Sequence, residues 1–273
     1  MRMHYNVISE LTREYIFRLA EKGKRRDGRV LDQFRDITVE TGVIGTAEGS
    51  ARVRLGNTEV VVGIKMQPGE PYPDSPDKGV MTTNLELIPM ASPFIEPGPP
   101  GAEAIEMARV IDRGIRESGA LPLEDLVITP GEKVWVLFID IHVLDYDGNL
   151  FDAGTIGAVK ALETAVVPAE TYGLGENHPL KLREIPISTT FVKLGKAIAV
   201  DPTAEEESVA RSRLTVTTDL DGNIRAMQKG IGGGFSLQEV EECIEKSIRF
   251  GRQLRSLLWE NPEMVIERAG KEE

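Results

Sequence analysis

Three aspartates crowd the stretch LDYDGNLFDAG, where the apolar strand pattern VWVLFIDIHV gives way to the small-residue helix pattern AGTIGAVKAL: Asp145, Asp147 and Asp152, with Leu150 and Phe151 between them. The first turn of a helix offers unpaired backbone N–H groups and a positive dipole end, a natural seat for phosphate. Carboxylates and an aromatic ring at that seat work against an anion. A second acidic run, DPTAEEES from Asp201 to Ser208, follows a strand end. It has the oxygen ligands to hold a divalent cation, and a solvated turn is the simpler reading. The helix pattern ARVIDRGIRES carries the opposite charge. At roughly 100° per residue, Arg109, Arg113 and Arg116 project within about a 60° sector, nearly opposite the apolar side. Guanidinium forks match phosphate oxygens as ammonium groups do not, so the ridge suits a phosphate backbone. A solvated face with Glu106 and Asp112 as local partners is the plainer alternative.

Other chemistry-bearing groups are less pointed. The cluster GIGGG after Lys229 lacks the Lys and Ser/Thr of a P-loop and the spacing of a dinucleotide fingerprint; backbone freedom between a hairpin and a capped helix explains it. The histidines, His4, His142 and His178, have no ligand spacing, and His142, with Asp140 two residues earlier on the same strand face, reads as a satisfied core histidine. The single cysteine, Cys243, excludes an internal disulfide framework and reads as a small packed hydrophobe. No metal, cofactor or catalytic set follows from these residues.

The elements that must position these groups can be read from periodicity. Arg35–Glu40, Ala51–Leu55 and Val60–Ile64 are strands, the last two joined by the hairpin turn Gly56–Asn57. An extended apolar stretch covers Leu85–Met90, beyond the Pro-rich loop PGEPYPDSPDKG. Ala102–Ser118 is helical, Lys133–Val143 a buried strand, and Asp152–Val167 a helix so apolar that it must be packed on several sides. Ile187–Lys193, Lys196–Asp201, Arg213–Thr218 and Ile224–Lys229 are strands, and a helix follows with Ser236 and Glu239 spaced as a capping box. Strand runs followed by helices argue for an α+β fold with helices on mixed sheets. The divisions expected are a helical extension over residues 1–24, a first half over 25–168, a connector over 169–185 and a second half over 186–260. With 273 residues, 41% of them apolar, the chain can bury a sizeable core. Its N-terminus lacks the uninterrupted apolar core of a signal peptide, and no window approaches the roughly 20 apolar residues of a membrane span, so a cytoplasmic protein is expected. A net charge of −12 argues against a free-standing nucleic-acid binder; such activity needs a local patch or a partner.

Taken in order, RRDGR with Arg35 beyond it, GSARVRLGNTEVVVGIK, the arginine helix, VLDYDGN and VVDPTAEEE resemble the RNase PH family of phosphorolytic exoribonucleases over nearly the whole chain. With ELIPMASPFIEPGPPG and ARVIDRGIRES, the pattern is more similar still to one branch, the catalytically silent RNase PH-like ring subunit of the archaeal exosome. The resemblance implies duplicated βα units of the RNase PH type, akin to ribosomal protein S5 domain 2. It also implies a hexameric ring of three heterodimers with an active sister subunit, RNA-binding cap subunits on one face, and single-stranded RNA as the common ligand. The family reaction is attack of inorganic phosphate on the terminal phosphodiester at the RNA 3′ end, releasing nucleoside diphosphates.

At the junction, active members follow an Asp by small residues, then Ser or Thr, then Arg; from Asp147 this chain runs Gly148, Asn149, Leu150, Phe151. Leu and Phe thus stand where the resemblance implies a hydroxyl and a guanidinium for phosphate, and read as packing. Active members place two Asp six residues apart in the acidic run; Asp201 matches the first, as a remnant, and Glu207 stands at the second. The resemblance carries RNA-backbone binding to Arg113, with Arg109 and Arg116 joined by their shared face. The expected role is a non-catalytic subunit that assembles with an active sister and completes its RNA site. The alternatives are an active phosphorolytic exoribonuclease and a scaffold without RNA contact. The apolar strand Glu59–Lys65 is an expected edge for assembly.

Overall fold

Alternation builds the first sheet: Val60, Val62, Ile64 and Met66 are buried while the residues between them are not. The computed structural model describes residues 10–260, so His4 and the first nine residues of the expected extension lie outside the described residues. In chain order the elements are α1 (Glu10–Glu21), β1 (Ile37–Thr41), β2 (Gly49–Leu55), β3 (Thr58–Gly69), β4 (Val80–Leu87), α2 (Ala102–Ser118), β5 (Val127–Thr129), β6 (Lys133–Asp145) and α3 (Leu150–Glu163). Then come β7 (Val166–Val167), β8 (His178–Pro179), β9 (Ile187–Leu194), β10 (Ala197–Val200), α4 (Ala204–Val209), β11 (Ser212–Thr218), β12 (Ile224–Gly230) and α5 (Leu237–Arg255). Both read hairpins form, at Gly56–Asn57 and around Asp221–Gly222, and the Ser236–Glu239 capping box is present.

The first sheet has the order β1-β2-β3-β6-β4 with β5 on β6, and its pairs are antiparallel except the parallel β4–β6. The second, β10-β9-β11-β12, is antiparallel throughout. The fold is α+β with helices on mixed and antiparallel sheets. Helices α2 and α3 lie between the two sheets, α3 against β2 and β3 on one side and β9 on the other, α2 against β4 and β12. Helix α5 covers the opposite face of the second sheet, where Phe191, Leu214, Val216, Cys243 and Phe250 form a core.

This sandwich explains α3, which is buried from Leu150 through Leu162. Small residues let the sheets close on it: a Cβ at Gly157 would sit 2.8 Å from Val62. Its second face is not apolar. Thr155 Oγ1 bonds Ser188 Oγ at 3.0 Å, and Ser188 bonds Thr217 Oγ1 at 2.8 Å. Asp152 Oδ1 accepts from Thr190 Oγ1 at 2.8 Å, and Thr190 bonds Thr215 Oγ1 at 3.0 Å. A seam of mutually satisfied hydroxyls therefore joins α3 to the second sheet.

Several expectations are corrected. Strand Glu59–Lys65 is no edge, because it pairs β2 on one side and β6 on the other. The extended stretch begins at Val80, five residues before the expected Leu85, where parallel pairing with β6 starts. Helix α3 stops at Glu163, since Val166–Val167 pairs with β8. His142 is not a core residue: its side chain is 44% exposed on the open face of the first sheet, 3.5 Å from Glu86.

Candidate functional site

Between β6 and α3 the chain must turn within Tyr146, Asp147, Gly148 and Asn149. Gly148 (φ 83°) and Asn149 (φ 56°) both take the left-handed region. A Cβ at Gly148 would lie 2.5 Å from the backbone N of Ala204, so the turn is pressed against the start of α4. That approach delivers Glu207 to the head of α3. Its Oε1 accepts from the Asn149 backbone N–H at 3.0 Å and its Oε2 from the Tyr146 hydroxyl at 2.8 Å. The protein's own carboxylate thus takes the N-cap N–H at the helix terminus, where negative charge is favoured. Burial raises the Glu207 pKa, opposed by the charge of Arg213 and the bonds from Asn149 and Tyr146.

Leu150 and Phe151 are each 2% exposed and belong to the main core, as packing requires. The Phe151 ring carries the guanidinium of Arg213, 4.3 Å from its centroid, and Arg213 Nη2 donates to Glu106 Oε1 at 2.8 Å. Glu106, expected to serve the arginine ridge, is instead the partner of Arg213 and of Gln228. Beside them opens a cavity of about 470 Å³ lined by Glu103, Glu106, Tyr146, Phe151, Glu207 and Arg213 among others. Three carboxylates face one neutralised guanidinium there. A multiply charged phosphate entering it would meet like charge and an apolar floor.

The run DPTAEEES is not a solvated turn. Thr203 and Glu206 form a capping box that starts α4, and Asp201, at φ 48° and wholly buried, is the centre of an ion-pair network. Its Oδ2 accepts from Arg29 Nη1 at 2.8 Å, Arg35 Nε at 2.9 Å and the Arg35 backbone N–H at 2.8 Å. Its Oδ1 accepts from Arg35 Nη2 at 2.7 Å and Asn149 Nδ2 at 2.7 Å. Burial disfavours the charged Arg35, yet the bonds and charge of Asp201, with Asp147 and Glu207 behind it, carry its pKa above the ordinary arginine value. Arg25 sits in the same cluster, bonded to Glu206 and to the carbonyls of Val200 at 2.7 Å and Asp201 at 2.8 Å. With five donors on its two oxygens, Asp201 does not fit the divalent cation that active relatives are expected to use. Among the described residues no group of three or more His, Cys, Asp or Glu side chains is arranged to hold a metal.

The arginine ridge lies elsewhere, on the exposed side of α2. Arg116 is committed: its Nε and Nη2 donate to Asp112 at 2.9 and 3.0 Å, and Nη2 also reaches the Met81 carbonyl at 3.0 Å. Arg109 and Arg113 are exposed and make no ion pair with any described residue. The structure therefore separates the ridge from the Leu150–Phe151 cavity, and divides the ridge into two free cations and one held cation. Arg213, Asn149, Tyr146 and Glu106 had no local signal in the sequence, because each gains its role from a partner distant along the chain.

Residues 33–168 match the description of the 3′ exoribonuclease family, domain 1, and residues 184–249 match its domain 2. The chain belongs to the RNase PH family of 3′ exoribonucleases. Among curated RNase PH-family relatives, the exosome complex component Rrp42 of Methanocella arvoryzae is 52% identical over 94% of this chain and 98% of that protein. The component of the same name from Thermococcus gammatolerans is 53% identical over 93% of this chain and 96% of that protein. Among solved structures, a chain of the Archaeoglobus fulgidus exosome with RNA bound to the active site superposes with a TM-score of 0.89 and 50% identity, covering 91% of this chain and 98% of that one. The RNase PH fold expected from the sequence is thereby established. Among the described residues no helix is long and apolar enough to cross a membrane.

Proposed function

We propose that this chain is a non-catalytic subunit of an exosome ring, which assembles with an active RNase PH-like sister and helps hold the RNA that the sister degrades from the 3′ end. The observation that carries this reading is the head of α3: Leu150 and Phe151, packed into the core, supply neither hydroxyl nor guanidinium. Phosphorolysis needs donors prearranged around the attacking phosphate and the transferring group, and loss of a single such donor costs roughly 10²- to 10³-fold in rate. Here both side-chain donors are replaced. The chain's own contribution is grip. Arg109 and Arg113, exposed and free of ion pairs among the described residues, offer forked donors to a sugar–phosphate strand without reading its bases. Arg116 serves by holding Asp112 and the edge of β4 in place.

The purified chain, given RNA and inorganic phosphate, is expected to release no nucleoside diphosphate, and release is expected to appear on adding the sister subunit. Turnover by the chain alone would defeat the reading. In the reconstituted ring, Arg109→Gln and Arg113→Gln should each flatten the slope of log affinity against log salt by about 0.7, the share of one single-strand phosphate contact. Arg116→Gln should leave that slope unchanged. Filter binding across a salt series measures all three, and an equal effect at Arg116 would mean that the Asp112 pair does not restrain it.

A further inference from the structure

Beside the ridge runs a groove of about 340 Å³ lined by Thr82, Thr83, Arg109, Asp112, Arg113 and Arg116, with Met81 and Glu117 at its margins. Asp112 is the anomaly. A carboxylate in the middle of a phosphate track repels phosphate, yet this one is held in place by three hydrogen bonds from two residues. Its Oδ1 accepts from Thr83 Oγ1 at 3.1 Å and from Arg116 Nη2 at 3.0 Å, and its Oδ2 accepts from Arg116 Nε at 2.9 Å. Arg116 is itself tied to β4 through the Met81 carbonyl. The pair thus fixes the carboxylate against the strand edge and meets its charge.

An ionised carboxylate has about four lone-pair positions. Three are used here, which leaves one acceptor position on Oδ2, on a side chain that lines the groove and keeps 22% of its surface exposed. Its charge already met by Arg116, that position suits a neutral O–H donor. On a nucleic-acid strand whose phosphates sit on the neighbouring arginines, the O–H donor at hand is the ribose 2′-hydroxyl, which DNA lacks. Arg109 and Arg113 are one helical turn apart, about 6 Å along the axis, comparable with the step between successive phosphates of an extended strand. Asp112 lies between them in sequence.

We infer that Asp112 accepts the 2′-hydroxyl of one nucleotide while Arg109 and Arg113 hold the adjoining phosphates, so that the groove between α2 and β4 distinguishes RNA from DNA. The inference rests on the RNA-guiding reading and names the strand chemistry of that same site. Thr83 and Arg116 are positioning residues for it. They orient the acceptor and do not touch the strand.

The test uses the reconstituted ring and a single-stranded oligonucleotide carrying one 2′-deoxy or one 2′-fluoro nucleotide at each position in turn. The 2′-fluoro sugar keeps the ribose pucker and loses the O–H donor. Methylphosphonate substitution locates the two phosphates that depend on Arg109 and Arg113. At the nucleotide between them, both altered sugars are expected to weaken binding about five- to tenfold, the scale of an ordinary net hydrogen bond, since Arg116 already meets the carboxylate's charge. In Asp112→Ala the ribose preference there should fall within twofold; added strand attraction from a released Arg116 cancels in this ratio. An unchanged preference in Asp112→Ala overturns the inference. So does full tolerance of both sugars at that nucleotide by the unaltered ring, which needs no variant to fold. If Arg109→Gln and Arg113→Gln leave the binding of both strand types unmoved, the RNA-guiding reading falls as well. If those variants weaken both strand types equally and the sugar ratio ignores Asp112, only the ribose contact is lost.

Discussion

Asp201→Ala is expected to lower the free energy of unfolding by about 3–5 kcal/mol, the usual cost of stranding buried charges by removing their partner. Arg29 and Arg35 have side chains only 9% and 8% exposed, and both pair with this one carboxylate, Arg29 with Asp27 at 2.7 Å and Arg35 with Asp147 at 3.6 Å besides. A typical domain has only about 5–15 kcal/mol to lose, so chemical denaturation should show a large shift in midpoint. Asn149 would lose an acceptor for its Nδ2 as well, and the turn ahead of α3 should loosen first. Asp201→Asn keeps the shape and some acceptor capacity but leaves Arg29 only Asp27, and Arg35 only the more distant Asp147, as paired counter-charge, so it should also destabilise, by less. A shift under about 1 kcal/mol in Asp201→Ala would mean that the network is not needed for folding. The same position in an active enzyme would be judged by rate; here it is judged by stability.

The second large effect is a dependence on pH that belongs to Asp152. Burial between α3 and β9 pushes its carboxyl up to about 7, against the bonds it accepts from Asn149 and Thr190, and the charge of Asp201 adds to the rise. Folded and unfolded states therefore differ between the ordinary value of 3.8 and about 7. Within that window the folded chain holds a proton that the unfolded chain has released, so stability falls as pH rises. At roughly 1.36 kcal/mol per unit, the loss amounts to about 4 kcal/mol by pH 7 and then levels off. Asp27 and Asp219, whose pKa values are lowered, act in the opposite sense and in a lower window: they stabilise above 3.8 and lose that effect as pH falls further. Asp152→Asn should therefore gain stability relative to the natural chain progressively from pH 4 to 7, with no further change by pH 8. Denaturant midpoints of both proteins at matched pH measure the difference. A constant difference would show that its three donors, Thr190 N–H, Thr190 Oγ1 and Asn149 Nδ2, keep the carboxylate ionised.

Much of the local structure was legible because its causes are local. Hairpins at Gly56–Asn57 and Asp221–Gly222, the Ser236 cap, the outward side of α2 and the apolar packing of Leu150 and Phe151 each follow from turn chemistry, helix period or side-chain polarity within a few residues. The all-round burial of α3 was legible too, since a helix so largely apolar must be enclosed, although its polar seam against the second sheet was not. The acidic run was misread because composition cannot say where a carboxylate's counter-charge is. Asp201 looked solvated until Arg29 and Arg35, more than 160 residues earlier in the chain, were brought onto it.

By itself the sequence determined the family, the α+β class, the arginine ridge and the absence of a hydroxyl and a guanidinium at the head of α3. These depend on residue identity and short spacing. Tertiary structure alone decided that Glu207 bonds the N-cap N–H of α3, that Arg213 stacks on Phe151, that Arg116 is held while Arg109 and Arg113 are free, and that a hydroxyl seam joins α3 to the second sheet. The physical reason is that a charged or polar side chain has no fixed role until its desolvation and its partners are known, and both are set by contacts between segments far apart along the chain.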